Sequence, residues 1–240
     1  TNNKLSPFPE EINRRVTGLL ADYHFSPTTN DKKNLLLEGV SEENIFVCGN
    51  TVIDSLMNAS EKVDKIQNDE INLLEEKIDS RKKIVLVTSH RRENYGKNIK
   101  NICDALKKIS GINNTEIVYP VHLNPNINKI VNDRLDNHPN IHLVDPLSYP
   151  SFIWLMKKSY MILTDSGGIQ EEAPSLGIPV VVMRDTTERM LGVEAGTAIL
   201  SGSNPDKIFK ETKKILSDKK YYDAISKSNN PYGDGNASNK

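Results

Sequence analysis

The sequence predicts an α/β protein built on a doubly wound parallel sheet, and three observations carry that expectation. From Ile84 onward, short β-rich apolar runs alternate with stretches of helical period, the order that gives a parallel sheet covered by helices. The stretch Tyr160-Met-Ile-Leu-Thr-Asp-Ser-Gly-Gly-Ile-Gln-Glu-Glu-Ala-Pro174 reads as a buried strand that turns at Ser166-Gly167-Gly168 directly into a helix. Between Gln67 and Lys83 the chain is polar and charged, with only Ile71, Leu73, Leu74 and Ile78 at helical spacing, which reads as an exposed helical connection between two domains. The expected division is therefore 1–66 and 67–225, with 226–240 a tail packing back toward the first domain.

Taken in order, Ser6-Pro-Phe-Pro-Glu10 is a rigid lead-in, and Pro9 suits the first position of a helix running roughly to Ala21. That helix places Ile12, Val16, Leu19 and Leu20 on one face, and sets Glu10 and Arg14 one turn apart as an i,i+4 ion pair. A short strand at His24–Ser26, a helix from about Asn30 to Glu38 and a strand at Asn44–Cys48 follow. Asn50-Thr51 then caps a helix from about Val52 to Ile66. The second domain opens with the strand Ile84–Thr88. Helices near Asn98–Ile109, Asn126–Leu135 and Ser151–Lys158 then alternate with strands at Glu116–Tyr119 and Ile141–Val144. Beyond the glycine turn come strands at Val180–Met183 and Thr197–Leu200, a helix from Pro205 to Leu216, and the turn cluster Asn230-Pro-Tyr-Gly-Asp-Gly235.

At 240 residues, 37% hydrophobic and 26% charged, the chain can bury a substantial core. Its net charge of -1, with no basic stretch interleaved with aromatics, argues against a nucleic-acid partner. No run of about 18 apolar residues marks a membrane span and the N-terminal stretch lacks a signal-peptide pattern, so the expected compartment is the cytoplasm. Cys48 and Cys103 lack metal-ligand spacing and read as buried thiols. The chain starts without Met and ends without a cap, and reads as a fragment of a longer protein. No G-x-G-x-x-G follows a strand, and Walker A, H-E-x-x-H and paired C-x-x-C patterns are absent, so no cofactor and no metal are expected.

Four constellations carry candidate chemistry. The Ser166-Gly167-Gly168 turn points backbone N–H groups past the strand end while the missing Cβ atoms admit an anion, a phosphate seat; it reads equally as an ordinary strand-to-helix turn. Glu172, one turn into the helix, suits a ribose. His90 with Arg91 and Arg92, after an apolar strand, is either a diphosphate clamp or a solvated basic loop. His122, between Pro120 and Pro125, is a second strand-end His, with backbone bonding as its duller role. Arg184-Asp-Thr-Thr-Glu-Arg189 packs charge and hydroxyls into six residues after a strand, at the ligand edge of the sheet, with a plain surface loop as its duller reading. Phe152 and Trp154 read as core unless one stacks on a base.

Together Ser6-Pro-x-Pro-Glu10-Glu-x-Asn-Arg14, His24-Phe-x-Pro-Thr28, Gly49-Asn-Thr-Val-Ile-Asp54, His90-Arg-Arg-Glu-Asn94, His122-Leu-Asn-Pro125, Thr164-Asp-Ser-Gly-Gly-x-Gln-Glu-Glu-Ala-Pro174, Arg184-Asp-Thr-Thr-Glu-Arg189 and Asn230-Pro-Tyr-Gly-Asp-Gly235 resemble the bacterial non-hydrolysing UDP-N-acetylglucosamine 2-epimerases over nearly the whole chain. The resemblance implies a GT-B-like fold: 67–225 as the UDP-binding Rossmann-like domain, 1–66 as the C-terminal part of an N-terminal Rossmann-like domain, and the active site in the cleft between them. It implies UDP-N-acetylglucosamine and UDP as ligands, a homodimer for a full-length protein, and interconversion with UDP-N-acetylmannosamine for cell-surface polysaccharide synthesis. Carried over, Ser166, Gly167 and Gly168 take the UDP, Glu172 the ribose, Phe152 the uracil with Leu147 offering backbone groups beside it, and Arg189 a further ligand contact. His90 matches the active-site His near the diphosphate, Glu10 a catalytic carboxylate with Arg14 beside it, and His122 a residue of a second, regulatory sugar-nucleotide site. Two departures stand out. The family begins with about half of a domain that has no counterpart here, including further catalytic carboxylates, so the isolated chain is expected to turn over little. Met190-Leu191 also replaces a common Pro-Glu. A hydrolysing relative, a GT-B transferase and a non-catalytic sugar-nucleotide binder are the alternatives.

Overall fold

The computed structural model describes residue 5 and residues 8–240, so Ser6 and Pro7 of the expected lead-in lie outside the described residues. The chain divides into two compact units, one running up to Asp54 and including Tyr232–Lys240, the other comprising Ser55–Pro231.

In the first unit α1 (Glu10–Leu20) leads to β1 (His24–Ser26), α2 (Thr29–Leu37) and β2 (Ile45–Val47), with β1 and β2 paired in parallel from His24 opposite Ile45. Thr28 and Asp31 start α2 with a reciprocal capping box, each side chain accepting the other's backbone N–H. The apolar stripe expected along α1 leaves Val16, Leu19 and Leu20 exposed, and the side chain α1 buries is Glu11. The expected Glu10–Arg14 pair is not formed. Arg14 instead grips Glu11 through Nε at 3.0 Å and Nη2 at 2.9 Å and reaches across to Glu38, while Glu10 stands exposed. A guanidinium fork satisfies a carboxylate better bidentately than through one exposed i,i+4 contact, which explains the exchange. Gly49, at φ +98°, reverses the chain before α3 (Thr51–Lys62), and Asn50 N–H donates to the Tyr232 carbonyl at 2.8 Å. Asp54 accepts from the amides of Ala237 and Ser238 at 3.1 and 2.9 Å, which holds the tail within this unit.

The second unit continues with α4 (Asp69–Lys77), β3 (Lys83–Thr88), α5 (Lys97–Ser110), β4 (Thr115–Pro120), α6 (Pro125–Leu135) and β5 (Ile141–Val144). It is completed by α7 (Tyr149–Lys158), β6 (Met161–Thr164), α8 (Gly167–Glu172), β7 (Val180–Val182), α9 (Met190–Glu194), β8 (Ala198–Leu200), α10 (Pro205–Ser217) and α11 (Lys219–Ser226). The stretch expected as an exposed helical connection is helical, as α4 capped by Asn68, but it is not exposed throughout: Ile71, Leu74 and the following Ile78 are buried in the second core cluster. Few apolar residues suffice there because their spacing lines one narrow face. α11, not expected from the sequence, starts one residue after α10 because Asp218 closes the first helix and caps the second by accepting the Tyr221 amide.

The sheet is parallel throughout, in the order β5-β4-β3-β6-β7-β8. Two cores follow from strand alternation. Val85, Val87, Ile117 and Leu163 face a cluster shared with α5, α6 and α10, whereas Ile84, Leu86, Val118 and Ile162 face one shared with α4 and α7. Each such side chain, almost fully buried, contributes about 1.5–3 kcal/mol. From β3 the chain winds outward through β4 and β5, then returns to β6 on the other side of β3 and winds out the opposite way. The switch point, where ligands bind in sheets of this kind, lies between the C-terminal ends of β3 and β6.

Candidate active site

Thr88 and Thr164 end these two strands side by side, in register, with their hydroxyls 2.6 Å apart. Beyond them the two loops are tied together by Asp165, whose side chain is completely buried. Its carboxylate accepts from Ser89 Oγ at 2.8 Å, the His90 amide at 3.1 Å, the Arg91 amide at 3.0 Å and Asn94 Nδ2 at 2.8 Å. One aspartate on the β6 side therefore fixes the whole His90–Asn94 segment on the β3 side. The His90 ring, 44% exposed, stands over this anchor with Nδ1 3.5 Å from Asp165 Oδ1. The His122 ring stacks near it at a centroid distance of 6.0 Å, its Nδ1 accepting the Asn124 amide at 3.1 Å. The backbone-bonding role and the proximity to His90 thus hold together.

The Ser166-Gly167-Gly168 turn opens α8 without a side-chain cap. The Ser166 amide donates to Thr164 Oγ1 at 2.9 Å, which corrects the reading of all three amides as open; those of Gly167 and Gly168, at the first turn, have no carbonyl to bond within the helix. Neither glycine needs a left-handed backbone. What Gly167 provides is close approach: a Cβ there would stand 3.0 Å from Glu188 Oε1 and 3.3 Å from Arg189 Cζ. The Glu172 carboxylate folds back toward the turn, with Oε1 3.4 Å from where a Gly168 Cβ would lie. Burial, then the neighbouring charge of Glu171, pushes the Glu172 carboxyl up to about 7, and burial followed by the charge of Glu172 raises the Tyr149 phenol in turn. Leu147 and Phe152, flanking the start of α7, are half-buried against the second core cluster, and Trp154 is core.

Arg189 lies over Gly167, its Nε donating to Glu171 at 2.8 Å and its Nη1 to Glu188 at 2.9 Å. Thr187 steadies the same segment by donating to Gln170 Oε1 at 2.8 Å and accepting the Arg189 amide at 3.1 Å. The structure thus gathers His90, His122, Ser166, Gly167, Gly168, Glu172 and Arg189 around one sheet edge, with Leu147 and Phe152 after β5 on the same edge. Glu10 and Arg14 belong to the first unit. Among the described residues no group of three His, Cys, Asp or Glu side chains could hold a metal ion, and no helix is long and apolar enough to cross a membrane.

The sequence model of the UDP-N-acetylglucosamine 2-epimerase family matches residues 1–240. The chain belongs to that family. An epimerase of this name from Campylobacter jejuni is 51% identical over 247 residues, covering 100% of the chain and 64% of the relative. The crystal structure of the UDP-GlcNAc 2-epimerase from Neisseria meningitidis bound to UDP-GlcNAc superposes with a TM-score of 0.91 at 45% identity, over 100% of this chain and 65% of that one. The S. aureus MnaA–UDP structure gives 0.88 at 43% identity, over 99% and 64%. The chain therefore spans less than two thirds of the length of these relatives, and its fold class is theirs, α/β and GT-B-like.

Sequence reasoning singled out candidate ligand-facing residues and missed the carboxylates that hold their loops. Asp165, Glu171 and Glu188 were quoted within motifs and given no role. The one signal available was their position beside the glycine turn and beside Arg189, in two segments that only the folded sheet edge brings together.

Proposed function

We propose that this chain binds UDP-N-acetylglucosamine at the β3/β6 switch point and serves its C2 epimerisation to UDP-N-acetylmannosamine without net hydrolysis. The observation that carries the reading is the convergence of His90, the Gly167–Gly168 turn, Glu172 and Arg189 on one edge of the sheet, in a family whose Neisseria meningitidis member is described bound to UDP-GlcNAc. In this reading the diphosphate lies against Gly167 and Gly168 with His90 and Arg189 beside it, Glu172 takes the ribose, and Phe152 with Leu147 receives the uracil. The His122 ring, its centroid 6.0 Å from that of His90, stands beside the same place, where a second sugar nucleotide would act as regulator.

The C2 proton is not acidic, because that carbon bears an acetamido group and adjoins no carbonyl. Loss of the proton is coupled to departure of the leaving group: the C1–O bond to UDP breaks as C2 loses H+, leaving a glycal and free UDP. Re-addition of UDP at C1 with protonation of C2 from the other face completes an isomerisation in which nothing is oxidised. Charge building on the departing diphosphate is met by the His90 ring and the turn amides, which are already fixed in place by Asp165 and α8. A carboxylate handles the proton, and Glu10 with Arg14 is assigned to that step on motif likeness alone.

Because the chain covers less than two thirds of its relatives, the direct test reads binding before turnover. Calorimetric titration with UDP is expected to give saturable 1:1 binding that His90→Ala and Arg189→Ala each weaken by about tenfold or more, the loss of one charge-assisted hydrogen bond. No UDP binding by the folded chain would overturn the reading. In a protein extended to the relatives' length, retained UDP-sugar supports the non-hydrolysing course, and release of free N-acetylmannosamine would replace it with hydrolysis.

A further inference from the structure

Three arginines drawn from two separate loops of the switch-point edge close on a single carboxylate. Glu188 Oε1 accepts from Arg91 Nη2 at 3.2 Å and from Arg189 Nη1 at 2.9 Å, and Oε2 accepts from Arg184 Nη1 at 2.7 Å. Two of these arginines also have other anchors: Arg184 donates to Glu93 and Arg189 to Glu171. Glu93 and Glu171 therefore set the positions of the guanidinium groups from their outer sides, and Glu188 occupies the place between them. That place adjoins the glycine turn, since Glu188 Oε1 is the nearest atom to the point where a Gly167 side chain would begin, at 3.0 Å. It also opens to solvent. The Glu188 side chain is 39% exposed, whereas Arg184 beneath it is 8% exposed.

A carboxylate that served only to clasp the loop would be expected to sit deep with its arginines. This one sits toward solvent, beside the glycine turn, and it balances the three guanidiniums only together with Glu93 and Glu171. With Glu188 withdrawn, three guanidiniums would face two carboxylates, Glu93 and Glu171, leaving one positive charge in excess beside Gly167. Arginine forks donate to phosphate oxygens in the same geometry as to carboxylate oxygens, and a diphosphate brings both more charge and more acceptors than Glu188 does.

We propose that Glu188 is a surrogate anion: in the free protein its carboxylate fills the place beside Gly167 that a ligand's diphosphate takes, keeps Arg91, Arg184 and Arg189 gathered there, and is exchanged for the diphosphate on binding. The ligand class is a nucleoside diphosphate or pyrophosphate group, and the inference rests on the reading of the Gly167 turn as the diphosphate seat. Glu188 is then a residue that lowers affinity while ordering the site.

The test titrates the wild-type chain, Glu188→Gln and Glu188→Ala with UDP, with inorganic pyrophosphate and with uridine. Removing the competing carboxylate is expected to tighten UDP and pyrophosphate by about tenfold in both variants, the scale of one charge-assisted hydrogen bond no longer broken on binding, and to leave uridine unchanged. Weaker or unchanged binding of UDP and pyrophosphate in both variants would overturn the proposal and make Glu188 part of the seat's framework. If UDP fails to bind the wild type while pyrophosphate binds and tightens in the variants, the surrogate role stands and the UDP assignment falls. If UDP binds the wild type and neither variant tightens it, the reverse holds.

Discussion

Replacing Asp165 by Asn leaves the shape of the buried side chain almost unchanged and alters only what it can accept. The carboxylate now receives Ser89 Oγ, the amides of His90 and Arg91, and Asn94 Nδ2, all within 3.1 Å. A carboxamide offers one oxygen; placed where Oδ2 now stands it still meets all four donors but without the negative charge, while its NH2 group takes the place of Oδ1 and faces the His90 amide in a place water does not reach. A bond to a charged group is worth about 1.5–3 kcal/mol against about 0.5–1.5 kcal/mol for a neutral one, so the four bonds together lose about 3–5 kcal/mol. The Ser89 hydroxyl can rotate toward another acceptor, which favours the lower end. For a domain of this size about 2–4 °C is lost per kcal/mol, so the melting temperature is expected to fall by roughly 10 °C. The assay is thermal unfolding followed by circular dichroism, paired with UDP titration at a temperature where both proteins remain folded. Affinity is expected to fall with stability because His90 and Arg91 are the residues released. A variant that melts within about 2 °C of wild type would show that Asp165 does not anchor the loop, and the account of how His90 is positioned would fail with it.

Two further outcomes follow from the same geometry. Gly167→Ala should leave the melting temperature within a few degrees, because the new methyl meets the flexible ends of Glu188 and Arg189 and gains about 1 kcal/mol of helix propensity; UDP affinity should nonetheless drop by about tenfold or more as the diphosphate is held off, and unimpaired binding would refute close approach as the reason for glycine. Glu172 keeps its proton up to about 7 in the folded chain against a usual value of 4.5, so the folded state holds more protons between those limits and stability must fall as pH rises through that window. Discounted for its partial exposure, the change is about 1–2 kcal/mol, and Glu172→Gln should abolish it in urea unfolding measured from pH 4.5 to 8; an unchanged slope in the variant would assign the effect elsewhere.

The parallel sheet was legible because burial on both faces demands apolar strands, and the runs from Ile84 to Thr88 and from Met161 to Thr164 carry nothing else that could be misread. The candidate ligand-facing residues could be singled out for a related reason: a glycine pair after such a strand, or a His with two arginines after another, has a restricted set of structural uses. Errors gathered where the partner of a charged residue had to be guessed. Glu10 and Arg14 were paired by spacing, yet Arg14 chose Glu11 and Glu38, the second 24 positions away. Spacing along a helix reports which side chains can meet, whereas the choice among carboxylates depends on which of them is already half withdrawn from water, and Glu11 is.

The same argument explains why the second layer of the switch-point site could not be read from the sequence. Asp165 binds donors 71 to 76 positions away, and Glu188 collects an arginine 97 positions away along with two from its own loop. The long-range pairings among these have no local periodicity, because they exist only after β6 has been laid beside β3 and β7 beside β6. A parallel sheet brings together the loops after strands distant in the chain, so the residues that touch a ligand can be marked by short motifs while those that orient them are specified by topology. That division makes a sharp distinction between substitutions. A change at His90 or Arg189 should alter binding with little effect on unfolding, since both side chains are partly exposed. At Asp165 unfolding and binding should move together, and at Glu188 the proposed exchange requires binding to strengthen.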